Sequence, residues 1–309
     1  MATVDNGAKG ADTARKGLLA RYPLVSFFLF SFVFTWGYFW LIWAPLGLPD
    51  SLIALGGFAP AVSAFLVLAI TSGKPGVLRM FRSIVHWRVG VQWYLVVLLG
   101  VPVLNLLAFL AVPGVLADFV APDSRLVRLY LSEMAISLTI GIAPLWEEIG
   151  WRGFAYPRMQ RAHGPVVGSL VLGALWGLWH LPFFFGPLAR TGPNATFVSA
   201  TIALLEFSIG LTGLSVVMAW ILNNCGGSTL LAILIHAAFD SLGLALVVLF
   251  PSTPPYYLPV HYQTLGIAII FSIATLILIL VTRGDLSYQR YQRVRAMDDP
   301  QRYGRSGMI

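Results

Sequence analysis

The stretch PLVSFFLFSFVFTWGYFWLIWAPL, residues 23–46, has no charged side chain in 24 consecutive residues. An α-helix needs roughly 20 mainly apolar residues to cross the hydrocarbon core of a bilayer. Similar runs recur along the 309-residue chain, which is 58% hydrophobic and only 11% charged, whereas an average soluble domain is about 25% charged. The sequence therefore predicts an all-α, polytopic membrane protein and not a soluble domain with a large core.

Eight segments are long and apolar enough to be predicted as membrane-spanning helices. They lie near residues 23–46, 51–72, 91–113, 132–156, 165–186, 197–222, 228–250 and 263–282. The chain then divides into a polar N-terminal tail at 1–20, one membrane domain at 21–283 and a basic, loose C-terminal tail at 284–309. Because eight is an even number, we expect both tails on the same side of the membrane.

The lysine and arginine residues are distributed unevenly between the two predicted faces. Seventeen of the 20 fall in the tails, in the loop between the second and third spans, or in the segment that leaves the fourth span. Arg125, Arg128 and Arg190 fall on the other face. Positive residues collect on the cytoplasmic side, so we expect a multi-pass plasma-membrane protein with both termini in the cytoplasm. The net charge of +7 then reflects topology, and no nucleic-acid partner is expected.

Ionisable side chains inside the predicted spans are few. Away from the ends of the spans they are Glu147, Glu148, Arg152, His180, Glu206, His236 and Asp240. A charged group in a membrane costs at least a few kcal/mol to insert unpaired, so each such residue is a functional hypothesis. For any one of them the alternative is a structural ion pair or a hydrogen-bonded core histidine, and for Glu206 we favour that structural role.

Helical geometry separates the two adjacent glutamates. Glu148 and Arg152 are spaced i,i+4 and share a helix face, so they can pair. Glu147 points about 100° away from that face. A carboxylate without a partner in a low-dielectric site binds a proton more readily than in water, which suits a general base. We therefore predict that Glu147 is the base and that Glu148 and Arg152 support it.

A glutamate and two histidines can activate a water molecule for hydrolysis, either directly or through a metal. Zn²⁺ or another divalent metal could accept His180, His236 and a carboxylate, either Glu147 or Asp240, as ligands. The sequence has neither the HExxH zinc-protease motif nor a GxSxG elbow. The single Cys225 excludes a Cys-based metal cluster. Residue spacing alone leaves the metal-bound and the glutamate-activated water equally open.

Three motifs resemble those of a known family. EEIGWR, residues 147–152, matches the EExxxR motif of the type II CAAX prenyl endopeptidases and their bacterial relatives, the CPBP or Abi intramembrane proteases. WGLWH, residues 176–180, corresponds to the FxxxH motif, and WGLWHLPFF resembles its bacterial form. HAAFD, residues 236–240, corresponds to the HxxxN motif. The motifs occur in family order, so the resemblance covers about residues 130–250 and implies the family's eight-helix intramembrane fold.

The resemblance also implies a role for each matched residue. Glu147 would activate the water, and His180 would help to hold it. Glu148 and Arg152 would form the supporting pair. His236, together with the residue at position 240, would stabilise the oxyanion of the tetrahedral intermediate.

Two matched positions depart from the family pattern. Trp176 replaces Phe and keeps an aromatic wall. Asp240 replaces Asn, and an ionised carboxylate there would repel an oxyanion. Asp240 is therefore expected to be protonated, to orient His236 from behind, or to bind a metal.

The sequence thus predicts an intramembrane endopeptidase that hydrolyses a peptide bond of a membrane-associated or lipidated protein. Two other classes of protein are possible. The first is a non-catalytic scaffold or immunity-type protein of the same fold. The second is a proton-coupled transporter with Glu147, His180 and Asp240 as a relay. A transporter of that kind commonly has repeated halves, and the sequence shows none.

Overall fold

The computed structural model describes residues 17–49, 52, 54–141, 143–185, 196–252 and 260–298. Its regular structure is helical throughout these residues, as the composition predicts. A single turn at Leu18–Arg21 precedes the first long helix. The helices are α1 (Pro23–Leu46), α2 (Leu55–Ile84), α3 (Val91–Leu110), α4 (Ser124–Thr139), α5 (Ala143–His163), α6 (Pro165–Phe185), α7 (Phe197–Asn224), α8 (Thr229–Asp240), α9 (Leu242–Leu249), α10 (Val260–Thr282) and α11 (Tyr288–Asp298).

Six helices within the described residues are long and apolar enough to cross a membrane. They are α1, α2, α3, α6, α7 and the Thr264–Thr282 part of α10, and the count rises to seven if α4 and α5 form one span. The predicted count of eight is therefore not confirmed. The predicted span 228–250 is divided at Ser241 into α8 and α9, and the 12 residues of α8 fall short of the roughly 20 that a crossing requires.

Two other predicted spans differ from the structure. The helix predicted to end at residue 72 continues to Ile84 across a kink at Gly73, whose φ of +56° is readily adopted only by glycine. Pro75 follows the kink and removes a backbone donor. The predicted span 132–156 is two helices, α4 and α5, which meet at 57°. Length and hydropathy do not reveal either bend.

Glycine residues allow the helices that carry the predicted site to approach closely. A Cβ at Gly150 in α5 would lie 2.7 Å from the carbonyl group of Pro60 in α2. A Cβ at Gly177 in α6 would lie 2.6 Å from Cα of Ser208 in α7. Small residues at such crossings let backbones come together, which is the usual basis of helix packing in membranes.

The C-terminal end of the membrane domain packs against the turn between α7 and α8. Asn223 donates from Nδ2 to the Leu286 carbonyl at 3.0 Å, and Tyr291 of α11 is buried. The C-terminal tail is therefore not loose from its start, since Tyr288–Asp298 is helical. Residues 1–16, Arg190 and residues 299–309, which the sequence assigns to tails and a loop, lie outside the described residues.

Candidate active site

The two adjacent glutamates lie at the end of the first, α-helical part of α5. A π-helical segment, Ile149–Ala155, follows them and contains Arg152. Glu147, Glu148 and Arg152 are 4%, 0% and 3% exposed, so all three ionisable groups are buried. Single π-turns inside α-helices are frequent at functional sites, and here the turn begins directly after the glutamates.

Glu147 accepts a hydrogen bond from a neighbouring helix. The indole Nε1–H of Trp176, in α6, donates to Glu147 Oε2 at 2.7 Å. A buried carboxylate needs such donors, because an unpaired one loses its hydration without replacement. Glu147 is therefore fixed from α6, while its neighbour Glu148 is bonded along α5 and from α8.

Glu148 joins two cationic or potentially cationic groups. Its Oε1 accepts from Arg152 Nη1 at 3.0 Å and from His236 Nδ1 at 2.9 Å. The pair predicted from the i,i+4 spacing is present in the structure. The bond to His236 joins residues 88 positions apart, and it links α5 to α8 at the centre of the site.

The ion pair leaves two polar atoms without a hydrogen-bond partner among the described residues, Glu148 Oε2 and Arg152 Nη2. The guanidinium group of Arg152 also lies 4.2 Å from the centre of the Trp176 ring. A cation over an aromatic face is attracted by the ring's quadrupole. The Trp176 ring thus stabilises the charge of Arg152 while its N–H binds Glu147.

His180 lies where the main part of α6 ends. This main part of α6, Pro165–Trp179, ends there because Pro182 lacks the backbone N–H that would continue the regular hydrogen bonding. His180 Nδ1 lies 2.9 Å from the carbonyl oxygen of Trp176. A carbonyl only accepts, so Nδ1 carries the proton in this contact and Nε2 is the acceptor nitrogen of a neutral ring.

Aromatic rings surround His180. Its ring centre lies 4.9 Å from that of Trp179, 5.6 Å from Phe183 and 5.1 Å from Phe207. These rings come from α6 and α7 and give the imidazole an apolar wall. The histidine is half-buried.

His236 lies between two carboxylates. While Nδ1 contacts Glu148, its Nε2 lies 3.5 Å from Asp240 Oδ2 on the next turn of α8. The side chain of His236 is 7% exposed and that of Asp240 is 42% exposed. Of the three roles expected for Asp240, this geometry matches orientation of His236, and Asp240 marks the side on which the site is open.

The predicted metal ligands do not converge in this structure. Among the residues that the structure describes, no group of three or more His, Cys, Asp or Glu side chains could hold a metal ion. His236 Nδ1 and His180 Nδ1 each contact a protein oxygen, a contact that leaves Nε2 as the nitrogen available to a ligand. The side chains of Glu147, His180, His236 and Asp240 do not form a ligand set in the arrangement described, and the metal stays a prediction.

Glu206 accepts a hydrogen bond from another helix. Thr264 Oγ1, in α10, donates to Glu206 Oε2 at 2.7 Å. This bond links α7 to α10, and the structural role of Glu206 stays a prediction.

The sequence predicts the ionisable residues of the site but does not predict the polar contacts of Trp176. We considered this residue only as an aromatic wall, whereas its indole N–H, its ring and its carbonyl contact Glu147, Arg152 and His180. An available signal was the polar N–H itself, since a buried tryptophan usually finds a hydrogen-bond partner.

The segment that carries the three motifs is similar to a known family of membrane proteases. Residues 131–242 match the family model described as Type II CAAX prenyl endopeptidase Rce1-like. All three motifs lie inside the matched residues, so the resemblance drawn from them is confirmed there.

A curated relative is also named as a CAAX prenyl protease. The chain is similar to CAAX prenyl protease 2 of Methanococcus maripaludis, with 27% identity over 95 residues. The alignment covers 31% of this chain and 34% of the relative. The similarity thus spans about a third of the relative's length.

Proposed function

We propose that this protein is an intramembrane endopeptidase that hydrolyses a peptide bond of a membrane-associated or lipidated protein. The observation that carries the proposal is the buried pair of glutamates with separate partners. Glu147 is bonded to Trp176, while Glu148 is bonded to Arg152 and His236. One carboxylate is thereby neutralised within an ion pair, and the other has the environment of a general base.

In the proposed reaction Glu147 takes a proton from water as the oxygen attacks the carbonyl carbon of the scissile bond. The carbonyl π electrons move to oxygen and give a tetrahedral oxyanion. Collapse of this intermediate breaks the C–N bond, and Glu147 returns the proton to the leaving nitrogen. Water supplies the hydroxyl group of the new carboxyl terminus and the proton of the new amine.

The two histidines have different proposed roles. His180 donates from Nδ1 to the Trp176 carbonyl, so Nε2 accepts a hydrogen bond from the attacking water. A doubly protonated His236 donates from Nδ1 to Glu148, and Nε2–H donates to the oxyanion. Donors fixed before the reaction are the most effective stabilisers of such charge. Asp240, whose Oδ2 lies 3.5 Å from the same Nε2, orients His236 before the reaction, and Nε2–H turns from Asp240 to the oxyanion as its charge develops.

The substrate and the sidedness are also proposals. The relative's name supports a prenylated CAAX protein as one substrate, and the membrane location supports any lipidated or membrane-associated protein. Both termini are proposed to be cytoplasmic, at the plasma membrane, because the basic segments collect at the predicted inner face.

The test compares wild type with Glu147→Gln in native membranes. C-terminal peptides of membrane and lipidated proteins are profiled by mass spectrometry, with and without a chelator. Purified protein in lipid nanodiscs is assayed in parallel on a farnesylated, internally quenched CAAX peptide and on the same peptide without the lipid.

We expect peptide ends that are present with wild type and absent with Glu147→Gln. Cleavage that persists with chelator supports the glutamate-activated water, whereas chelator sensitivity restored by Zn²⁺ supports a metal held by His180, His236 and a carboxylate. Identical profiles, in cells whose phenotype depends on this protein and survives Glu147→Gln, would replace the enzyme with the non-catalytic scaffold.

A further inference from the structure

We infer that Trp176 is a positioning residue that fixes the orientation of the Glu147 carboxylate through its indole N–H. The inference rests on the proposed function, because positioning has meaning only if Glu147 activates water. It is drawn from the contacts of one side chain with the members of the site.

Trp176 contacts the site by three different parts of its structure. The indole N–H binds Glu147 Oε2 at 2.7 Å. The ring face lies 4.2 Å from the Arg152 guanidinium and meets the His236 ring edge-on at 5.2 Å. The backbone carbonyl accepts from His180 at 2.9 Å. One residue therefore relates the positions of a carboxylate, a guanidinium and two imidazoles.

The indole bond gives the two oxygens of Glu147 different environments. Oε2 accepts the N–H of Trp176, and Oε1 takes no part in that bond. A carboxylate held by one oxygen cannot rotate freely about its terminal torsion, which is otherwise broad. The bond therefore assigns Oε1 to the water and reduces the number of orientations that are unproductive for proton transfer.

A phenylalanine at this position could not act in this way. Phe offers an aromatic face and no hydrogen-bond donor, whereas Trp offers both. Trp176 and the Phe of the family motif FxxxH are both aromatic, but only Trp176 has a hydrogen-bond donor. The N–H that Trp176 adds is buried, since the residue is 1% exposed.

Trp179 provides a matched control three residues along the same helix. It is equally buried, and its Nε1–H donates to Thr35 Oγ1 at 2.9 Å. Trp179→Phe thus removes one buried indole hydrogen bond from α6, as Trp176→Phe does. The bond lost in Trp179→Phe joins α6 to a hydroxyl group on α1 and does not involve Glu147. An effect that is only structural should therefore appear in both variants.

The experiment measures kcat and KM in nanodiscs for wild type, Trp176→Phe and Trp179→Phe. The substrate is the farnesylated, quenched CAAX peptide or, where the membrane comparison reveals another cleavage site, a quenched peptide spanning that site. A third variant carries 3-benzothienylalanine at position 176, which keeps the bicyclic shape and π face and replaces only the N–H with sulfur.

We expect kcat to fall about 10- to 100-fold in Trp176→Phe, the range for a lost hydrogen bond to a charged group, with KM changed less than about threefold. The benzothienylalanine variant should lose kcat to a similar degree, whereas Trp179→Phe, which keeps an aromatic ring beside His180, should lower kcat less than Trp176→Phe does. An active wild type with full kcat in the benzothienylalanine variant would overturn the inference alone. A wild type that hydrolyses neither peptide and has no Glu147-dependent peptide ends would remove the proposed function together with the inference.

Discussion

Two parts of this protein hold a glutamate within predicted spans, and the partners of the glutamate differ between them. In the site formed by α5, α6 and α8, Glu147 and Glu148 contact an indole, a guanidinium and an imidazole. Between α7 and α10, Glu206 accepts from the hydroxyl of Thr264. A hydroxyl can hold a helix pair together, whereas the partners in the first region can also move or stabilise charge. The partners of Glu147 and Glu148 therefore support a catalytic role, whereas the bond from Thr264 joins two helices.

The largest expected difference between the regions is in hydrolysis. Glu147→Gln should lower kcat by about 10²- to 10⁴-fold, the usual contribution of a general base. Glu206→Gln keeps an oxygen acceptor for Thr264 and should change kcat less than about twofold, the small effect of a substitution away from the site. Quenched-peptide cleavage in nanodiscs measures both. Equal losses in the two variants would contradict the distinction.

The next difference is in stability. Glu148→Ala leaves Arg152 as a buried charge without its partner, which should lower the free energy of unfolding by about 3–5 kcal/mol. Thr264→Val removes one hydrogen bond to Glu206 and should cost about 1–3 kcal/mol. Thermal unfolding in the same detergent compares them. A Glu148→Ala protein as stable as wild type would mean that the ion pair is not closed as described.

A smaller effect on stability is expected where the backbones of α5 and α2 approach closely. Gly150→Ala would place a methyl group 2.7 Å from the Pro60 carbonyl and should destabilise the protein by about 1–3 kcal/mol, with reduced activity as α5 shifts. Gly37→Ala is the control, since a Cβ there meets nothing within 4 Å. Its melting temperature should stay the same or rise slightly. Tolerance of both substitutions would show that the contact of α5 with α2 is not close.

Asp240→Asn should have a small effect on hydrolysis. The Asp240 carboxylate is 42% exposed and 3.5 Å from His236, and exposed ion pairs contribute about 0.2–1 kcal/mol. An amide can still orient the imidazole, so kcat should change less than about fivefold. A loss as large as that of Glu147→Gln would favour Asp240 as a metal ligand, and added Zn²⁺ would test that reading.

The smallest effect is expected outside both regions, at Cys225 in the turn after α7. Burial raises the pKa of the Cys225 thiol to about 12. The reactive thiolate is therefore scarce at pH 7.5, and its population rises only as pH approaches that value. Maleimide should label the native protein slowly and the denatured protein fully, and Cys225→Ala should retain wild-type kcat. Rapid native labelling would contradict the burial of this turn.

The sequence predicted what depends on local spacing and mean hydropathy. The membrane class, most of the long helices and the Glu148–Arg152 pair follow from run length and an i,i+4 interval. The division of span 228–250 was missed because residues 241–243, Ser-Leu-Gly, do not interrupt the apolar average. The contacts of Glu148 with His236 and of Glu147 with Trp176 were also missed as specific bonds. They join residues 88 and 29 positions apart, and only tertiary packing places them together.

The π-helical segment Ile149–Ala155 has a consequence for the length of α5. A π-turn contains one residue more than the α-helical turn it replaces. Deleting a single residue after Arg152, at Gly153 for example, should let this segment return to a regular α-helix. The later part of the helix would then keep its orientation relative to the glutamates, because the residue removed is the one that the wider turn accommodates. A single deletion between the site and His163 should therefore be tolerated better here than in a regular α-helix, where it would rotate the later part by about 100°.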